Sequence, residues 1–226
     1  MLASLLPAGV VLAEEHAPER LTLDGRLLAP EERSLVVGAG ERRRRDFTAG
    51  RACAHRALAE LGHAGAAVLA GASREPLWPG GVVGSITHCD GYAAAAAASA
   101  DQVMAIGVDA EPLAPLPDAV ATRILADGEE PADVGGRFDP VLLTFSAKEA
   151  AFKAWYPLTH QWLELSQASV RTEGDHFVVT VLVEPGPGHR GAPARLAGRW
   201  AASDRHVFCA VVVPAAGVGV TDNLPS

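Results

Sequence analysis

The chain has 226 residues, a formal net charge of −8, 49% hydrophobic residues and 20% charged ones. That length buries a substantial core in one domain or in two small ones packed together. The acidic balance excludes nonspecific nucleic-acid binding, which needs a basic field.

Cys53, Cys89 and Cys209 are too widely spaced for a zinc site or a disulfide framework, so a reducing cytoplasm is expected. No apolar run reaches membrane-spanning length. Met1 to Ala13 has no positively charged start, carries Pro7 in a short apolar run and leads into Glu14 and Glu15. It reads as a buried first strand over Gly9 to Ala13 rather than a signal peptide. Arg42 to Leu61 repeats Phe47, Ala54, Leu58 and Leu61 at helical steps, with Arg42 to Arg45 and Arg51 forming a basic cluster. Gly71 to Gly84 is a Gly- and Pro-rich loop, and Ser85 to His88 opens a strand. The alanines of Tyr92 to Ala98 have high helix propensity. Gly91 before them and the strand-like Val103 to Val108 after them favour a strand whose small side chains admit a close helix. Ala100-Asp101-Gln102 is then a hairpin turn.

Pro112 to Pro117 breaks the chain, Asp118 to Leu125 is a short helix and Asp127 to Gly136 an acidic loop. Val141 to Tyr156 is the strongest helical segment, stopped by Pro157. Ala168 to Thr172, Phe177 to Val183 and His206 to Val213 read as strands. Glu184 to Pro193 reads as a mobile loop and Gly217 to Ser226 as a loose tail. Each half offers a helix and several strands, which is compatible with two α/β lobes.

Asp109 and Glu111 are separated by one residue, so an extended backbone puts both carboxylates on one face. Such hard oxygen ligands suit Mg²⁺, although a bare Asp-x-Glu is equally a solvated strand end. Glu149 and Lys153 are four apart on one helical face, the spacing of a common surface ion pair. With Lys148 they lie among Phe145, Phe152 and Trp155, which favours a cleft over an open surface. His88 is either a hydrogen-bonded structural residue or, with Gly84, Ser85 and Thr87, part of an anion site. Four arginines at a helix start oppose the macrodipole, which favours a phosphate partner over a merely solvated run.

The ordered set of Trp78-Pro79, Gly84 to His88, Gly107 to Glu111 and Phe145 to Lys153 resembles the 4′-phosphopantetheinyl transferases of the surfactin-synthetase and enterobactin-synthetase type, particularly actinobacterial members. The likeness covers roughly residues 35–165. It implies an α/β (α+β) fold of two pseudo-symmetric lobes, each with a small, mostly antiparallel sheet on a long helix, and an active site between them. Residues 1–107 would form the coenzyme A 3′-phosphate side and residues 108–226 the metal and pyrophosphate side. The implied reaction is Mg²⁺-dependent transfer of phosphopantetheine from coenzyme A to a serine of an acyl or peptidyl carrier protein. Asp109, Glu111 and Glu149 are the implied Mg²⁺ ligands, Lys148 and Lys153 the pyrophosphate contacts, and His88 with Thr87 further phosphate contacts. Arg43 and Arg51 are assigned to the 3′-phosphate, and Arg74 to a position where relatives carry lysine. Glu149, Lys153 and Asp109 would be catalytic, with Glu149 or a metal-bound water that it orients as the base. The carriers, presenting an acidic helix, would belong to fatty-acid, polyketide or nonribosomal-peptide synthases, and Val120 to Leu125 is a candidate docking segment. A cytoplasmic monomer is implied. Two other readings are a metal-dependent phosphohydrolase of coenzyme A-like anhydrides and a noncatalytic coenzyme A-binding module.

Overall fold

Two helices, Glu41–Glu60 (α1) and Pro140–Thr159 (α2), each 20 residues long, pack against separate antiparallel sheets. The computed structural model describes residues 1–21, 26–116, 118–121, 123–132, 134–184, 186 and 193–215. The strands are Val11–His16 (β1), Leu69–Ala70 (β2), Pro76–Leu77 (β3), Val82–Cys89 (β4), Tyr92–Ser99 (β5), Val103–Pro112 (β6), Ala168–Glu173 (β7), His176–Val181 (β8), Arg195–Ala202 (β9) and His206–Pro214 (β10). The N-terminal sheet runs β1-β5-β4 and the C-terminal sheet β6-β10-β9-β8-β7, while β2 and β3 form a small hairpin. This is the two-lobed α/β arrangement expected from the sequence.

The alanine run explains how the layers fit. Ala93, Ala95 and Ala97 face α1, where Ala49, Cys53, Ala54 and Ala57 are equally small. Ala94, Ala96 and Ala98 alternate to the other face and meet Ile106, Val108 and Ala110 of β6 together with Phe208 of β10. Leu2 and Leu5 of the N-terminal 3₁₀ turn are buried in the same layer. On the far side of the C-terminal sheet, α2 buries Leu143, Ala147, Ala151 and Trp155 against Val179, Leu196 and Val211. The layer order is therefore α1, N-terminal sheet, C-terminal sheet, α2. Gly107 lets α2 press onto β6: a Cβ there would lie 1.8 Å from the Ala150 carbonyl oxygen.

The two sheets meet along the edges of β4 and β6, where side-chain hydroxyls replace a backbone ladder. The Val108 N–H donates to Ser85 Oγ at 3.0 Å and the Ala110 N–H to Thr87 Oγ1 at 3.1 Å. These bonds satisfy backbone groups that would otherwise be buried without partners.

Several boundaries differ from the sequence reading. Ala100 to Gln102 forms a turn but not a hairpin, because β5 is already paired on both edges and β6 enters the other sheet. Pro157 does not stop α2. It removes only its own N–H in the final turn, and the helix runs to Thr159, where His160 caps it at φ 49° with its N–H bonded to the Tyr156 carbonyl at 2.7 Å. Gly71 to Gly84 contains the β2–β3 turn, β3 and the start of β4. The helix after Pro117 covers only Asp118–Ala121. β9 is an additional strand, hidden in sequence by Arg195, Gly198 and Arg199. The segment from Gly217 to Ser226 and most of Glu184 to Pro193 lie outside the described residues.

Candidate active site

β6 alternates between two environments, and this alternation aims its carboxylates. Ile106, Val108 and Ala110 face the N-terminal sheet, so Asp109 and Glu111 share the opposite side, toward α2. From α2, Lys153 Nζ donates to Asp109 Oδ1 at 2.7 Å and to the Val108 carbonyl at 3.0 Å. Ser146 Oγ donates to Asp109 Oδ2 at 2.8 Å, and Thr87 Oγ1 makes a long contact of 3.5 Å with Oδ1. Asp109 is buried. Glu149 and Glu111 are half-buried, and neither carboxylate has a hydrogen bond or close ion pair among the described residues.

The electrostatics describe a group short of positive charge. Burial, then the Asp109 charge, pushes Glu111 up to about 7, with Lys153 opposing. Burial and Asp109 raise Glu149 in the same way. Burial would depress the Lys153 ammonium, but Asp109, Glu149 and Glu111 outweigh it and hold it above its ordinary value. Three carboxylates share one ammonium. This set of three carboxylates, two of them without a hydrogen-bond partner among the described residues, fits a divalent cation by its chemistry. Among the described residues, however, no three His, Cys, Asp or Glu side chains cluster closely enough to constitute a metal site. The expected convergence of three carboxylates is not seen among the described residues, and Asp109 is bound by Lys153, Ser146 and Thr87.

Beside this group is a cavity of about 440 Å³ between the lobes, lined by Arg74, Trp78, Ser85, Glu149, Phe152 and Lys153 among others. Arg74 lies in the β2–β3 turn at φ 69°, and the hairpin is tied to α2 by a 2.7 Å bond from Tyr156 Oη to Ser73 Oγ. Its guanidinium therefore belongs to a segment that walls the cavity.

His88 lies between the two lobes. It is solvent-exposed, yet the crowding around it lowers its pKa; Asp46 opposes the shift, Lys153 and Arg43 reinforce it, and Asp109 opposes it. Arg43 and Arg51 flank Phe47 on one face of α1, with their guanidinium carbons 5.9 and 4.5 Å from its ring centre. Arg43 is exposed. Arg51 is buried and donates to the carbonyls of Val68 at 2.7 Å and Leu69 at 3.1 Å; burial lowers its pKa to about 10. Its expected 3′-phosphate contact competes with these backbone bonds, whereas Arg43 is unencumbered by any such carbonyl.

Lys148 does not join the site, contrary to its expected pyrophosphate contact. It is buried on another face of α2, where Nζ donates to the Ile124 carbonyl at 2.7 Å and to Glu129. Burial lowers its pKa, with Glu129 opposing. Glu129 also accepts from the backbone of Ala126 and Val170, so the pair ties the 124–129 segment to α2 and β7. Thr87 is likewise engaged by β6, leaving its expected phosphate contact without a free hydroxyl.

Sequence reasoning missed Ser146 and Glu129, and it gave Ser85 to an anion site where the structure has its hydroxyl accepting from the Val108 N–H. Ser146 was findable, because positions 146, 149 and 153 share one helical stripe while 148 does not.

Comparison with known proteins decides what this cleft belongs to. Residues 31–98 match the 4′-phosphopantetheinyl transferase N-terminal domain and residues 105–202 the 4′-phosphopantetheinyl transferase superfamily. The chain belongs to the 4′-phosphopantetheinyl transferase family. It is 39% identical to 4′-phosphopantetheinyl transferase Npt of Nocardia iowensis, over 93% of this chain and 99% of the relative. Identity to Svp of Streptomyces mobaraensis is 41%, over 95% and 90% of the two chains. Identity to PptT of Mycobacterium tuberculosis is 38%, over 94% and 98%. The protein is therefore a transferase of this class, and its two family regions correspond to the material on either side of the interlobe cavity. Among the described residues, no helix is long and apolar enough to cross a membrane.

Proposed function

We propose that the protein transfers 4′-phosphopantetheine from coenzyme A to a serine of an acyl or peptidyl carrier protein, releasing 3′,5′-ADP. One observation carries this reading: Asp109, Glu111 and Glu149 share a single ammonium, Lys153, at the edge of a cavity that opens between the lobes. Asp109, Glu111 and Glu149 would hold Mg²⁺, which supplies charge neutralisation at the pyrophosphate. The N-terminal lobe (residues 1–107) would supply Arg43 and His88 to the nucleotide phosphates, and the C-terminal lobe (residues 108–226) the carboxylates and Lys153.

In the chemical step, the carrier serine oxygen forms a bond to the phosphorus bearing pantetheine, and the bond from that phosphorus to the bridging anhydride oxygen breaks. Glu149 takes the serine proton. Glu149 lines the cavity that the serine would enter, the placement that general-base work requires. Lys153 faces the charge that develops on the departing phosphate. Val120, exposed in the one-turn helix after the carboxylate strand, remains the candidate for carrier contact. We take the protein to be a cytoplasmic monomer.

The test is intact-mass analysis of apo carrier protein incubated with coenzyme A and Mg²⁺. The expected result is a gain of one phosphopantetheine, abolished by chelation and largely lost in Glu149→Gln and Asp109→Ala with the fold intact. Cleavage of coenzyme A without carrier would mark a phosphohydrolase, and tight binding without any mass gain a coenzyme A-binding module.

A further inference from the structure

Hydroxyl side chains inside a helix ordinarily bond back to a carbonyl one turn earlier. In α2, Thr144 does this to the Pro140 carbonyl at 3.2 Å and Thr159 to the Trp155 carbonyl at 3.0 Å. Ser146, fully buried between them, does not. Its proton crosses to β6 and reaches Asp109 Oδ2 at 2.8 Å. Lys153, two turns along the same stripe, donates to Oδ1 at 2.7 Å. Each oxygen of the carboxylate thus has its own donor from one rigid helix, and rotating the carboxylate breaks both bonds.

Cys209 stands opposite Asp109 in the β10–β6 pairing and is fully buried, so the Asp109 side of β6 is backed by core.

We propose that Ser146 is a positioning residue that fixes the Asp109 carboxylate for uptake of a divalent cation, an inference that rests on the function proposed above. Groups that orient a metal-binding carboxylate commonly affect metal affinity by about 10–100-fold. The experiment is calorimetric titration of Mg²⁺ into protein saturated with coenzyme A, without carrier, so that binding is read apart from turnover. Ser146→Ala is expected to weaken Mg²⁺ binding by about tenfold or more while coenzyme A affinity holds. Ser146→Cys, close in volume but a poor donor, is expected to do the same and excludes a cavity effect. Thr144→Ala, an equally buried hydroxyl of the same helix, is expected to lower the melting temperature and leave Mg²⁺ affinity unchanged.

Mg²⁺ affinity within about twofold of the unmodified protein in Ser146→Ala, or an equal loss in Thr144→Ala, overturns the role of Ser146 alone. Failure of the unmodified protein to bind Mg²⁺ or coenzyme A overturns the proposed function and this inference together.

Discussion

Gly107→Ala tests whether the close approach of α2 to β6 holds the site together. The added Cβ would sit 1.8 Å from the Ala150 carbonyl oxygen and 2.9 Å from the Ala154 nitrogen, both backbone atoms of α2. That is about 1.6 Å short of ordinary contact, and no side chain can swing aside to relieve it. Overpacking of this kind costs about 1–3 kcal/mol, and a backbone clash belongs at the upper end. For a chain of this size, about 3 kcal/mol lowers the melting temperature by roughly 6–12 °C. The helix must also move away, carrying Ser146 and Lys153 from bonds to Asp109 that now measure 2.8 and 2.7 Å. A displacement near 1 Å at a catalytic group can cost about 100-fold in rate. Gly50→Ala is the matched control in the other lobe, since its Cβ meets only the Ile86 side-chain methyl at 2.8 Å. Thermal melts and carrier-loading rates of both variants decide the matter. A Gly107→Ala protein that melts within about a degree of the unmodified chain and loads carrier at its rate would refute the reasoning.

Other outcomes are expected from separate parts of the molecule. Lys148→Met should cost about 3–5 kcal/mol by stranding the buried Glu129, while the KM for coenzyme A stays put. Thermal melts read that loss, and a large rise in the KM would return Lys148 to the ligand. Glu32 is fully buried; burial raises its pKa, but bonds from His55 and the Val68 and Ala29 N–H groups outweigh that and hold it below the ordinary glutamate value. Its stabilisation is complete above the unfolded value of about 4.5 and lost as pH falls through the folded value, so the melting gap between the protein and Glu32→Gln should close on acidification. A gap that stays constant from neutral pH to acid would contradict this. Glu111, raised to about 7, must shed its proton before it can serve a cation, so Mg²⁺ affinity should increase with pH through that region and binding should release protons. Calorimetry in two buffers of different ionisation enthalpy reads the proton count, and zero release would exclude Glu111.

The sequence revealed most where one period dominates. Both long helices were legible from their three- and four-residue repeats, and the alternation of Asp109 and Glu111 correctly placed them on one side of a strand. β5 was harder, because alanine signals helix by propensity, and only its flanks argued for a strand. β9 was not legible at all, since Arg195, Gly198 and Arg199 interrupt the apolar run. At the site, adjacency in a motif suggested that Lys148 and Lys153 act together. A step of five residues on a helix turns the side chain away, and packing then gave the first to Glu129 and the second to Asp109. The hydroxyl bonds across β4 and β6 depend on two strand edges meeting, which no local pattern encodes.

From Tyr92 to Ala98 every residue of β5 is sealed from solvent on both sides. For the six alanines, nearly every substitution is an enlargement, and glycine is the sole exception. Evolutionary drift along this strand is therefore almost closed in one direction, whereas the acidic and basic groups of the cleft can at least be exchanged without adding bulk to a filled layer. A saturation-mutagenesis map of folded abundance should find its most intolerant stretch in this chemically inert ribbon.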